Sequence, residues 1–153
     1  MNSRTADHHV PGAPAARVRF DTRVAVMLSP DLLPWQELNV TSFLMSGIAT
    51  NGAGLVGEPY RDGDGNEYLP MLRQPVLVFT AGAVALVAAR TKALERGMAL
   101  AIYTRDLFST SDDEANRAAV AAVASADLDL VGIAVRGPRN AVDRLTKAAS
   151  KHR

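Results

Sequence analysis

The chain of 153 residues contains no cysteine. That absence removes thiol nucleophiles, thiolate metal centres and any disulfide framework together. Histidine is nearly as scarce: His8, His9 and His152 all stand near the termini, so neither a metal site nor a buried imidazole centre is expected. The adjacent His8 and His9 cannot complete a coordination shell alone. Charge of one sign is not in excess either, since 17 Lys+Arg against 16 Asp+Glu leave a formal net charge of +1. A protein whose main partner is a phosphate backbone carries a basic surplus, so nucleic acid is disfavoured as a partner. Long apolar runs are missing as well. The longest uncharged stretch, Gln74 to Ala89, is broken by Pro75 and Gly82 and falls short of the roughly 20 residues that cross a bilayer. The first twenty residues hold no apolar signal core, and the expected compartment is the cytoplasm. Neither a spaced-glycine dinucleotide fingerprint nor a P-loop follows any candidate strand, so no cofactor is expected.

What is present is an ordinary globular composition, 48% hydrophobic and 22% charged, long enough to bury one core without a metal or cross-link. Residues 1–20 read as a flexible tail, because Pro11-Gly12-Ala13-Pro14 and its surroundings lack periodicity. Residues 21–153 read as a single domain. Arg23 to Leu28 is a short β-branched run ended by Ser29-Pro30-Asp31, a buried strand entering a loop. Asn39 to Ala49 places Val40, Phe43, Leu44 and Ile48 on one helical face. Between Asn51 and Pro70 the glycines and Asp62-Gly63-Asp64-Gly65-Asn66 mark a long loop, with a hairpin returning over Glu67 to Leu72. Pro75 to Phe79 is a second main strand, and Gly82 to Arg96 a helix with Val84, Val87, Ala88, Thr91 and Leu94 on its apolar face, stopped by Gly97. Met98 to Thr104 follows as a third strand. Ser111 and Glu114 form a capping box for an alanine-rich helix whose small side chains fit close packing against a sheet or a second copy. Leu128 to Val135 and a terminal helix over Ala141 to Ala149 complete the pattern. The order predicts an α/β fold, a three-layer α/β/α sandwich around a mixed, mainly four-stranded sheet.

Few motifs carry chemistry. Asp62, Asp64 and Asn66 open like a calcium loop, but Glu67 stands where the glycine is needed and Arg73 where the bidentate Glu is needed. Arg136-Gly137-Pro138-Arg139 reads as a helix start, with anion capture the sharper alternative. Ligands of open α/β sheets bind beyond the strands' carboxyl ends, which directs attention to Asp31 and Asp106 as weak catalytic candidates, acid and base if one is desolvated. Asn39, Thr41, Ser42, Tyr60, Thr104 and Thr110 are the ligand-binding candidates. Helix capping is the plain role of Asn39, Thr41 and Ser42, and Trp35 and Tyr60 can line a pocket or a subunit contact.

Val24-Ala-Val-Met-Leu-Ser-Pro-Asp31-Leu32, then Leu100-Ala-Ile-Tyr-Thr-Arg-Asp106 and Leu130-Val-Gly-Ile-Ala-Val-Arg-Gly-Pro138, resemble the strands and turns of the peptidyl-tRNA hydrolase II family. More closely, Asn39-Val40-Thr41, Leu55-Val-Gly-Glu-Pro-Tyr60, Leu69-Pro-Met71, Arg73-Gln-Pro-Val76 and Glu114-Ala-Asn-Arg117 are similar to a bacterial family known as a domain of unknown function (two-thousand), with the hydrolase-like fold. The resemblance covers residues 20 to 150. The hydrolases carry Lys-Gly-Lys after the Asp-Leu turn and Gln-Cys-x-His in the helix, where this chain has Gln36-Glu37-Leu38 and Ser42-Phe43-Leu44-Met45. The hydrolases' Asp beyond the third strand corresponds to Asp106 or, in strict register, to Thr104. Without the lysines, thiol and imidazole, peptidyl-tRNA hydrolysis does not carry across. The resulting expectation is a cytoplasmic homodimer that binds a small molecule or protein partner at the strands' carboxyl ends, with residues 51–70 folding over the site. Its rivals are an ester or amide hydrolase using Asp31 or Asp106, and a tRNA binder without cleavage.

Overall fold

The computed structural model describes residues 18–153. Apart from 18–20, the expected tail, with His8 and His9, lies outside the described residues. Strand β1 (Thr22–Leu28) is the centre of the core, with Val24 through Leu28 all buried. Helix α1 (Pro34–Ala49) follows, then a hairpin of β2 (Tyr60–Arg61) and β3 (Glu67–Tyr68). Next come β4 (Val76–Thr80), α2 (Ala83–Glu95) and β5 (Ala99–Thr104). A 3₁₀ turn (Arg105–Ser109) leads to α3 (Asp113–Ala121). The chain closes with β6 (Leu130–Pro138), α4 (Arg139–Leu145) and β7 (Ser150–Lys151).

The main sheet has five strands in the order β5-β6-β1-β4-β7. Only β1 and β4 pair in parallel, with Val24 opposite Val76 and Leu28 opposite Thr80; the other pairings are antiparallel. The expected fourfold sheet therefore gains β7, which adds Lys151 opposite Phe79 and Ser150 opposite Thr80. A two-residue strand has no periodicity to read, and only its distant partner makes it a strand. A turn over residues 146–149 takes the place of the expected end of the terminal helix, which stops at Leu145 rather than Ala149.

Alternate residues of β1 serve two cores, as the period of two requires. Val24, Val26 and Leu28 pack with Val40, Leu44 and Ile48 of α1. Ala25 and Met27 pack with Leu86, Ala89 and Ala93 of α2 and with Val142 and Leu145 of α4. Helices thus cover both faces of the sheet. Gly132 of β6 permits the close approach of α1, because a Cβ there would stand 2.6 Å from Val40 Cγ1. Gly97, at φ +60°, ends α2 as anticipated.

Three further elements depart from expectation. Helix α1 begins five residues earlier than Asn39, because Pro34 occupies its first turn and the Gln36 side chain accepts a hydrogen bond from the Leu33 N–H at 2.9 Å. Helix α2 turns the other way: the buried residues are Leu86, Ala89, Arg90 and Ala93, while Val84 and Leu94 point to solvent. This helix is apolar nearly all round, and such a pattern does not select a face. Helix α3 has no buried residue and leans on the 3₁₀ turn instead of the sheet, so its alanines do not serve close packing among the described residues. Its cap is Asp112, which accepts from the Ala115 N–H at 2.9 Å, one position later than the expected Ser111.

Candidate functional site

Strand β5 is antiparallel to β6 and β6 to β1, so β1, β4 and β5 all point the same way. Their carboxyl ends form one edge of the molecule, onto which the first turn of α1 projects. Two hollows and an ionic bridge occupy that edge.

The first hollow lies between α1, the end of β5, the 3₁₀ turn and the start of α3. It encloses about 370 Å³ and is lined by Trp35, Asn39, Phe43, Tyr103, Phe108, Thr110, Asp112, Asp113 and Asn116 among others, a size within the range of small-molecule sites. Four rings follow one another around it. Trp35 meets Phe108 edge-on at 5.8 Å, Phe108 meets Tyr103 at 5.2 Å, and Tyr103 meets Phe43 at 6.1 Å. Helical spacing places Trp35, Asn39 and Phe43 on one side of α1, four residues apart. Tyr103 is almost wholly buried, its hydroxyl donates to Asn39 Oδ1 at 3.3 Å, and burial raises its pKa. On the far wall Thr110 donates to the Leu107 carbonyl at 2.8 Å and pairs with Asn116. The Ala115 amide and then the Ser111 hydroxyl hold Asp112 below the usual carboxylate range. Among the described residues no Lys, Arg or His lines this hollow. Asp112 and Asp113 stand in this lining, Asp113 paired with Arg117 one turn along α3, and the remaining negative charge favours a neutral or cationic ligand over an anion.

Between the hollows Arg105 bridges two acids, donating from Nε to Asp129 at 2.9 Å and from Nη2 to Asp31 at 3.1 Å. The Ser29 hydroxyl, donating at 2.5 Å, and after it Arg105 lower the pKa of Asp31. An exposed carboxylate stabilised in this way stays ionised and makes a poor proton donor.

The second hollow, about 270 Å³, lies beyond β1 and β4 and is lined by Pro30, Glu37, Thr80, Ser150, Lys151, His152 and Arg153. There Thr80 Oγ1 stands 2.8 Å from His152 Nδ1, and His152 Nε2 stands 3.3 Å from Glu37 Oε2. His152 is partly buried here, a placement that its position near the terminus did not suggest. The pairing of β7 with β4 sets His152 beside Val78, with its ring reaching Thr80 at the strand's carboxyl end, a link that leaves no local signal in the sequence.

Of the ligand candidates, Asn39 and Thr110 meet in the first hollow. Thr104 is fully buried, and its hydroxyl has no hydrogen-bond partner among the described residues. Thr41 and Ser42 lie within α1 rather than at its cap; Ser42 is exposed and donates back to the Leu38 carbonyl at 2.7 Å. Neither is among the residues lining the hollow. Tyr60 sits with Val18, Phe20, Gly57 and Met71 in a separate depression near the amino ends of β1 and β4. The loop 51–70 is there too, because α1 runs back along the sheet and delivers the chain to that opposite end. It does not cover the carboxyl edge. Asp106 is exposed and lines neither hollow. Trp35, which the sequence offers as able to line a pocket or a subunit contact, lines the first hollow, whereas Phe108 carries no such signal.

Among the described residues no group of three or more His, Cys, Asp or Glu is placed to hold a metal ion, and no helix is long and apolar enough to cross a membrane. Asp62, the start of the calcium-like stretch, instead accepts from the Asp64 and Asn66 amides, the Asn66 side chain and the Tyr68 hydroxyl.

Residues 22–153 match a family model described as a protein of unknown function (DUF2000). The solved structure of a protein of unknown function from Agrobacterium tumefaciens strain C58 superposes with a TM-score of 0.85 at 42% identity, covering 88% of this chain and 100% of that one. No curated protein matches the chain.

Proposed function

We propose, from the premise that the chain belongs to the DUF2000 family, that it binds a small, flat, neutral or cationic organic molecule in the aromatic hollow. The observation that carries this reading is the unbroken series Trp35–Phe108–Tyr103–Phe43 around about 370 Å³ of open space. Ring faces and edges hold planar ligands, and Asn39 and Asn116 each add donors and acceptors at the rim. Trp35 is the single tryptophan of the chain, which makes its emission a direct reporter. Neutral and cationic heteroaromatic compounds are titrated while Trp35 fluorescence and the melting temperature are followed. The expected result is a compound that changes both in the wild type and neither in Phe43→Ala or Asn39→Ala, since binding stabilises by mass action, about 2.7 kcal/mol at a hundredfold excess over Kd. A library that moves neither signal overturns the proposal.

The same reading takes the scaffold as peptidyl-tRNA hydrolase II-like, bacterial, cytoplasmic and homodimeric. Support for the scaffold comes from the sequence phrases in β1, β5 and β6, and support for self-association from the outward apolar stripe of Val84 (86% exposed), Val87 and Leu94 on α2. That stripe also suits a protein partner, the second form of the binding reading. Peptidyl-tRNA cleavage is not proposed, because Gln36 and Leu38 stand where the hydrolases have lysine. Asp112 and Asp113 also repel an RNA backbone from the hollow. Hydrolysis through Asp31 or Asp106 is not what we propose, since Asp31 is engaged by Ser29 and Arg105 and neither carboxylate lines a hollow.

A further inference from the structure

In open α/β sheets ligands collect in the crevice where two neighbouring parallel strands send their following connections to opposite faces. Here β1 leads to α1 on one face and β4 leads to α2 on the other, so the crevice beyond β1 and β4 is that place. It holds Thr80, His152 and Glu37. Three elements distant in sequence supply a hydroxyl, an imidazole and a carboxylate in hydrogen-bonding order, at 2.8 and 3.3 Å. A single tautomer satisfies both ring contacts, with the proton on Nε2 facing Glu37 and the Nδ1 lone pair facing the Thr80 hydroxyl. The backbone alone already secures this segment: Ser150 and Lys151 pair with β4, and the His152 amide donates to the Val78 carbonyl at 3.0 Å. Engagement of both ring nitrogens is therefore surplus to anchoring. Each of the three side chains lines the hollow of about 270 Å³.

We infer that Thr80, His152 and Glu37 form a nucleophile, base and positioning group for hydrolysis of short carboxylic esters, with Lys151 and Arg153 drawing substrates that carry a negative charge. As Thr80 Oγ1 bonds to the ester carbonyl carbon, its proton passes to His152 Nδ1, and the Glu37 carboxylate steadies the imidazolium through Nε2–H. Collapse of the tetrahedral oxyanion breaks the bond to the alcohol oxygen, and the departing alcohol takes the proton from Nδ1. Water then adds to the acyl carbon, giving a proton to Nδ1, and that proton returns to Thr80 as its oxygen leaves. The net change is ester plus water to acid plus alcohol. Thr80 and His152 are the catalytic residues. The first-turn amides of α2, which opens at Ala83, have no intrahelical partner and follow directly after the nucleophile in the chain.

The test uses 4-acetoxybenzoate and its neutral methyl ester with the full chain. Expected are turnover of both, a lower KM for the anion, and an acetyl adduct that peptide mass spectrometry places on Thr80. Thr80→Val and His152→Asn should each lower kcat at least a hundredfold while circular dichroism and melting temperature show a folded protein, and Thr80→Ser should retain turnover. Glu37→Gln should lower kcat with KM unchanged, a split that a purely structural role would not give. Absence of wild-type turnover, turnover that survives in Thr80→Val, or acetylation confined to lysines overturns the inference. Trp35 fluorescence titrations report on the other hollow, so failure there and failure here are distinguishable.

Discussion

Gly132 is the residue on which the closest packing turns. A methyl group there would meet Val40 Cγ1 at 2.6 Å, Leu44 Cδ1 at 3.2 Å and Leu28 Cδ2 at 3.3 Å. Val40 is β-branched and helical, so it has essentially one rotamer and cannot yield. Gly132→Ala is expected to cost about 1–3 kcal/mol of stability, the usual range for overpacking, read from urea midpoints. Gly137→Ala meets only the flexible end of Met98 and should cost distinctly less. Asp62 gives a prediction of another kind. The Asn66 side chain first, then the Tyr68 hydroxyl, lower its pKa from 3.8 to about 2. A carboxylate lowered on folding adds stability that is present above the unfolded value and lost as pH falls through the folded one. The hairpin should therefore keep its order at pH 5 and lose the Asp62 contribution between about 4 and about 2, seen as faster exchange of the Asp64 and Asn66 amides. Asp62→Ala should show that faster exchange at every pH.

At the scale of elements, α2 separates residues that matter from residues that do not. Leu86 is fully buried, and Leu86→Ala should cost about 2–5 kcal/mol. Val84→Ala, on the outward side, should stay within about 0.5 kcal/mol at concentrations where the chain is monomeric; the same denaturation series measures both. This contrast reverses the face that periodicity picks out, because Val84, Val87, Ala88, Thr91 and Leu94 are as apolar a row as Leu86, Ala89 and Ala93. Strands β1, β4 and β5 were legible nearly to the residue, since their short β-branched runs end at Ser29, Ala81 and Arg105. The start of α1 was not. Pro34, Trp35 and Leu38 give no core-facing spacing, as Trp35 turns to the hollow and Leu38 to solvent. Asn39 and Thr110 were legible as polar residues near carboxyl ends, whereas Thr80, Glu37 and His152 were not. Their meeting depends on β7, and nothing local to position 152 announces it.

For the whole molecule, the outward stripe of α2 predicts reversible pairing. Sedimentation equilibrium should give a mass near twice 16.3 kDa at high concentration, and Val84→Glu should hold the chain at the monomer mass, because a charge on an apolar contact is costly to desolvate. A monomer at every concentration would remove the dimer from the reading. A final consequence follows from α1, which lends Trp35, Asn39 and Phe43 to one hollow and Glu37 to the other. A substitution that displaces this one helix, at Val40 or Leu44 for example, is therefore expected to disturb the lining of both hollows together.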